Sequence, residues 1–298
     1  MSDGRTGNWG RWGDDDERGA LNLVSPDTTL AATRVARTGK TYTLGIAIQR
    51  AGIPLVDYRG TPQRLTLLNH TDEHMYAPYG GKPGVGCHED VLMLASHTST
   101  HMDALCHVYS DGKTYNGYGN EVMETYGGAA RCGIEKAGPI ITRGVLIDVA
   151  RHLGVDWLEP GQVITRADIE STLAAQGSQL QPGDAALIRT GWVDWFFANG
   201  EQMSLVQPGI GLEAAAYLAA QDVVAVCSDN TAVEAQPFDR DEFLGSHVEL
   251  LVRHGIYLIE HVNLSELSRD GCHEFLFIVS PLRITGATAS PVNPVAIG

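Results

Sequence analysis

The sequence predicts one α/β or α+β domain, and three observations carry that prediction. Helical patterns alternate with short apolar strands through the second half of the chain, as they do where helices pack on a sheet. No internal repeat and no linker divides the chain. Its 298 residues, 43% hydrophobic and 19% charged, are enough to bury a substantial core.

Residues 1–40 are glycine-rich and acidic, and they include Trp9 and Trp12. Two tryptophans in a segment with little regular pattern predict an arm packed on the body or on a neighbouring subunit, with the domain itself spanning 41–298. Residues 41–49 (TYTLGIAIQ) read as a strand. Residues 50–90, rich in Gly, Pro and His, read as long loops of the kind that often serve function. The apolar run 91–96 (VLMLAS) predicts a strand leading into 97–107. Residues 110–140 are Gly- and Tyr-rich and poorly periodic. A short buried strand is expected at 144–149 (GVLIDV).

A helix follows at 165–176, with Thr165 and Asp168 spaced as a capping box. The run 184–190 (DAALIRT) predicts a strand. The alanine-rich stretch 212–221 predicts a helix, followed at once by a strand at 223–227 (VVAVC). A second capping box, Ser246 and Glu249, opens an expected helix at 246–254, and Gly255 stands where a helix stop belongs. Strands are expected at 256–260, 274–279 and 282–284, the last two separated by Pro281.

Bulk properties exclude several function classes. A net charge of −15 argues against a nucleic-acid partner, which needs a basic face. The longest apolar runs fall far short of a bilayer span, so no membrane partner is expected. The first twenty residues lack the apolar core of a signal peptide. The five cysteines are scattered, odd in number and without a C-x-x-C pair, which points to a cytoplasmic protein with reduced thiols. Cys106 reads as a small packed residue. Phosphate-loop, dinucleotide and nucleophile-elbow motifs are absent, so neither a nucleotide nor a serine nucleophile is implied.

The most informative stretch is His97-Thr-Ser-Thr-His101-Met-Asp103-Ala-Leu-Cys-His107. Neutral imidazole with carboxylate is the donor set of a catalytic divalent metal, and three protein ligands leave a position open for water. In a helix, residues 97 and 101 would align while 103 and 107 pointed away. In an extended chain the spacing from 97 to 101, 103 and 107 is always even, which puts all four side chains on one face. A strand, or a strand that bends into a turn, therefore fits best. Burying such a cluster unpaired would be costly, and exposing it would serve no structural end. His247, near a helix start, and Glu260, ending an apolar strand, are further candidates because α/β proteins place sites at element ends.

The motif resembles the H-x-G-T-H-x-D-x-x-x-H signature of the cyclase family of metal-dependent hydrolases. The resemblance extends to 186–191 (ALIRTG), 228–234 (SDNTAVE), 246–260 and 275–293, and so to most of the chain. It implies an α/β unit of the swivelling β/β/α type, with a central β-barrel-like sheet and surrounding helices, in a homodimer or homotetramer. It implies one or two divalent ions, zinc or manganese. His97, His101 and Asp103 would hold the first, and Asp103, His247 and Glu260 the second. His107 would be the catalytic histidine. Ser99 departs from the pattern, standing where the family has glycine.

The function so implied is hydrolysis of a small amide, imide, lactone or aryl formamide by metal-activated water with a histidine acid/base. Two other readings are a metal-dependent lyase or cyclase and a non-catalytic metal-stabilised binding protein. Trp192, Trp195 and Tyr76, with Tyr79, Tyr115 and Tyr118, are candidates for an aromatic wall against a flat substrate. Arg189 is a candidate for a substrate carboxylate or for a structural ion pair.

Overall fold

Runs of β-branched and aliphatic residues form the middle of a nine-stranded sheet, and their burial on both faces is what parallel strands between helical layers require. The computed structural model describes residues 7–298, so residues 1–6 of the predicted arm lie outside the described residues. In chain order the elements are α1 (Pro26–Ala32), β1 (Thr41–Thr43), β2 (Gln63–Leu68), β3 (Glu89–Met93), β4 (His101–Asp103), β5 (Ile140–Asp148) and α2 (Arg166–Gln176). They continue with β6 (Ala185–Arg189), α3 (Trp192–Ala198), α4 (Leu212–Ala220), β7 (Ala225–Ser228), α5 (Gly245–His247) and β8 (Tyr257–Glu260). The chain closes with α6 (Ser265–Asp270), β9 (Glu274–Val279), β10 (Ala289–Pro291) and β11 (Val295–Ile297).

The strand order is β1-β11-β9-β5-β6-β7-β8-β4-β10. Strands β5 to β8 pair in parallel and the flanking pairs are antiparallel. Helical segments connect the parallel strands, and the sheet curls into a half-barrel. This is the α/β single-domain fold the sequence predicts. The Thr165–Asp168 capping box opens α2 as expected, with both reciprocal hydrogen bonds present.

Residues 7–40 run along the body. Trp9 Nε1 donates to Val252 O at 2.6 Å, and Ala20 N donates to Gly255 O at 2.8 Å. Gly19 has φ +59° and lies so near Gly255 that a Cβ would come within 2.3 Å of its carbonyl oxygen, so only glycine allows the approach. Tyr115 is buried beneath this contact and bonds Asp16, while the Tyr118 hydroxyl reaches Asp14 O. Both tyrosines hold the arm, which corrects their reading as an aromatic wall.

Four other expectations change. The first strand is only three residues long, because Ile46 N turns away to Thr100 Oγ1 instead of a ladder partner. The apolar run at 91–96 does not feed the sheet. Its first half lies in β3, which pairs only with β2 in an exposed hairpin. The predicted strand at 282–284 is a loop with Leu282 and Ile284 exposed, and β10 and β11 form instead. Pro291 ends β10, the last strand of the sheet, where a missing N–H costs no ladder bond. The helix expected at 246–254 is a short α-turn continued as a π-helical stretch, Val248–Arg253, and Ser246 is not its cap. The backbone N–H groups of Ser246 and His247 donate instead to Glu234 at 3.0 and 3.3 Å. Glu249 pairs with Arg253 and His254.

Candidate metal centre

Register places the core of the site. Strands β4 and β8 pair antiparallel with Glu260 directly opposite His101, and directly opposite residues share a face of the sheet. Met102, between the two predicted ligand positions of β4, points the other way into the core and is fully buried. Asp103, two residues on from His101, returns to the same side. The extended stretch is only three residues long. His97 and His107 reach the cluster through turns on either side, the first containing Ser99 at φ +56° and the second closed by His107 N to Ala104 O at 2.9 Å. The bent form of the predicted strand is therefore the one the chain adopts.

All five predicted ligands and His107 converge. His97 Nδ1 lies 2.9 Å from Asp103 Oδ1, and His101 Nε2 lies 3.6 Å from Asp103 Oδ1 and 3.2 Å from Glu260 Oε2. His247 Nε2 is 3.9 Å from Asp103 Oδ2 and 3.5 Å from Glu260 Oε1. The rings of His97 and His107 are 4.1 Å apart. Among the described residues, two groups offer one donor atom from each residue with all three atoms within 4.8 Å of one another: His97, Asp103 and His107, and His101, Asp103 and Glu260. Asp103 belongs to both.

The hydrogen bonds say which atoms face inward. Outward nitrogens are partnered: His97 Nε2 with Thr288 Oγ1 at 3.1 Å, His101 Nδ1 with Ser99 O at 2.8 Å, and His247 Nδ1 with Glu234 Oε1 at 2.5 Å. Inward atoms are not. His97 Nδ1, His101 Nε2 and both Asp103 oxygens are buried and have no hydrogen-bond partner outside the cluster itself. Orphaned buried polar atoms are rare in proteins. Four of them converging, with each histidine's other nitrogen already fixed, is the donor pattern of a metal site supported from behind. The residues therefore fit a divalent cation.

Electrostatics give the same reading. Burial pushes the Asp103 carboxyl up, but the imidazoles of His107 and His97 outweigh it and hold the group below the usual range. Glu260 is likewise buried, yet His101 and His247 hold it well below normal. Burial lowers His247, but its bonds to Glu234 and Glu260 win and raise it to about 10. A proton there stands in for the positive charge that this set of buried carboxylates demands. His107 behaves oppositely: burial pushes it down to about 4, so it is neutral at pH 7. Burial also raises the Cys106 thiol to about 12, in keeping with a packed residue and not a nucleophile.

Glu234 was not a sequence candidate. Its only signal was membership of the SDNTAVE segment. In the structure it binds His247 Nδ1 and caps the turn that carries His247.

The expected substrate residues fare differently. Arg189 is committed elsewhere: Nη1 donates to Asp148 at 3.0 Å and Nη2 to Asp194 at 2.6 Å and to Asp156 O at 3.1 Å. Of its two readings this favours the structural ion pair, since its guanidinium already holds the ends of β5 and α3 together. Tyr76 stands on the exposed segment between β2 and β3, with its hydroxyl 2.7 Å from Cys87 Sγ. Trp192 is buried, and its ring stacks on His261 at 5.8 Å. Trp195 packs beside it at 6.4 Å and lines an apolar crevice with Leu158, Pro160, Val206 and Pro208.

Known proteins carry the same arrangement of chain. A family described as "Putative cyclase" matches residues 42–235. The chain belongs to this cyclase family. A solved structure of a novel cyclase is 35% identical, with a TM-score of 0.87 over 98% of each chain. The kynurenine formamidase of Bacillus cereus is 28% identical over 206 residues, covering 68% of this chain and 77% of that protein. Isatin hydrolase A of Labrenzia aggregata shares the fold at 17% identity, with a TM-score of 0.64 over 91% of this chain and 98% of the other. Among the described residues of this cyclase-family chain, no helix is long and apolar enough to cross a membrane.

Proposed function

We propose that this chain is a metal-dependent hydrolase that opens a small amide, cyclic amide, lactone or aryl formamide. One observation carries the reading: inward-facing orphan donors on His97, His101 and Asp103, each histidine locked from behind. The match to a kynurenine formamidase supports the amide class. His97, His101 and Asp103 would hold one ion. Asp103, His247 and Glu260 would hold a second if two are bound, with zinc or manganese suiting this imidazole–carboxylate set. A divalent ion bound there lowers the pKa of a water from about 15.7 towards 7 and polarises a carbonyl oxygen.

The chain supplies the proton chemistry. His107 is neutral at pH 7 and sits against His97, so its lone pair can take the proton of the attacking water. The same imidazolium then gives that proton to the leaving nitrogen or oxygen. No covalent acyl intermediate is needed, and Cys106, held as a thiol, could not easily form one. Glu234 keeps His247 in the tautomer whose Nε2 faces the ligands. Trp192 and Trp195 bound the apolar side on which a flat substrate would rest.

A panel of aryl formamides, cyclic amides and lactones, run on metal-stripped protein with zinc and manganese restored in turn, tests this reading. Turnover that depends on the added ion, with solvent oxygen-18 entering the acid product, is the expected result. Stoichiometric metal with no turnover on any panel member would favour a metal-stabilised binding protein.

A further inference from the structure

We propose that Ser99 is a positioning residue for the metal ligand His101, holding it through a tether to the loop after β1. The inference rests on the metal-site reading above and concerns the backbone behind it. Ser99 is fully buried and has φ +56°, a left-handed conformation that side-chain-bearing residues rarely adopt. Two groups hold it there. Its hydroxyl donates to Ile46 O at 3.0 Å. Its carbonyl accepts from His101 Nδ1 at 2.8 Å and from His261 Nδ1 at 3.2 Å.

The surrounding bonds close a clamp. Ile46 N donates to Thr100 Oγ1 at 2.8 Å, and Thr100 Oγ1 donates to His261 O at 2.7 Å. Ile46 is thus gripped at its carbonyl by Ser99 and at its amide by Thr100. His261 is fixed in turn, with Nε2 2.6 Å from Thr231 Oγ1 and its ring stacked on Trp192. The consequence falls on one atom. The carbonyl of Ser99 keeps the Nδ1 proton of His101, which leaves Nε2 as the lone-pair donor facing Asp103 and Glu260. Glycine at 99 would adopt the same backbone without steric cost but would lack the tether to Ile46.

The test is a Co²⁺ titration of metal-stripped protein, read through the cobalt d–d bands, with thermal unfolding of the metal-free forms measured alongside. Ser99→Ala and Ser99→Gly are expected to raise the Co²⁺ Kd about tenfold or more and to shift the d–d spectrum. The Ser99→Gly protein, relieved of the left-handed side chain, is expected to unfold at the wild-type temperature or above it. Weaker cobalt binding without lost stability is a combination that a packing role does not produce. A Ser99→Gly protein with wild-type Kd and spectrum overturns the proposal, and so does one that loses affinity and stability together. Wild-type protein that binds no Co²⁺ overturns the underlying metal reading instead, and that result is visible without any variant.

Discussion

Six of the chain's histidines lie between residues 70 and 107, and the structure divides them into two sets of three. His70, His74 and His88 belong to the exposed hairpin region around β2 and β3, where no residue from 63 to 93 is buried. His97, His101 and His107 belong to the cluster around Asp103. The residue type is the same and the sequence distance is short. What differs is the neighbour. The second set flanks a strand paired on both sides, with β8 and β10, and those pairings bring up Glu260 and Thr288. The first set lies on a two-stranded hairpin that contributes no opposing wall. An imidazole is placed to serve as a ligand where tertiary structure supplies both a facing carboxylate and an acceptor behind it.

The largest expected effect comes from removing the residue the two donor groups share. Asp103→Ala should abolish stoichiometric metal, measured by elemental analysis after gel filtration, and activity with it. A protein that kept its metal would remove Asp103 from the ligand set. His107→Ala should keep its metal and lose turnover by about 10²- to 10⁴-fold. Loss of metal in that variant would move His107 from acid/base to ligand.

Glu234→Gln tests the support from behind. Metal affinity, from competition with a chelator, should weaken about 10- to 100-fold while the chain stays folded. A pH effect comes next. His247 is held protonated in the metal-free chain because its pKa stands near 10, above neutral. The second ion needs the lone pair at Nε2, so its binding at pH 7 must release that proton. Apparent affinity for that second ion should therefore rise by about tenfold per pH unit between neutral and pH 10 for this one proton. Calorimetry in buffers of different ionisation enthalpy counts it, and a count of zero would contradict the protonated state. The smallest effect is expected on the other side of the comparison. His74→Ala combined with His88→Ala should leave metal content unchanged and shift urea-unfolding stability by no more than about 0.5 kcal/mol.

Much of the centre is legible in residues 97–107 because three imidazoles and a carboxylate at even spacing have few structural uses. The alternation of helix and strand is legible for a similar reason, since apolar period follows the geometry of each element. Glu234 was not legible. It reaches His247 across thirteen residues of irregular chain, and its capping bonds replace the local box that Ser246 and Glu249 seemed to spell. Arg189 was left between two roles because a guanidinium in an apolar strand is unexplained until Asp148 and Asp194 are seen beside it. The hairpin misled because the run VLMLAS is apolar enough for a core strand, and only the missing partners show that it is not one.

The sequence by itself determined which residues could bind a metal and, in the second half of the chain, most of the helix and strand segments, because both depend on side-chain chemistry and local periodicity. Tertiary structure decided the rest: that His101 faces Glu260, that Glu234 stands behind His247, and that Ser99 takes a left-handed turn toward Ile46. Those choices depend on strand register and on hydrogen bonds between distant parts of the chain. No local pattern encodes them, because each bond becomes favourable only once packing has excluded water from both of its partners.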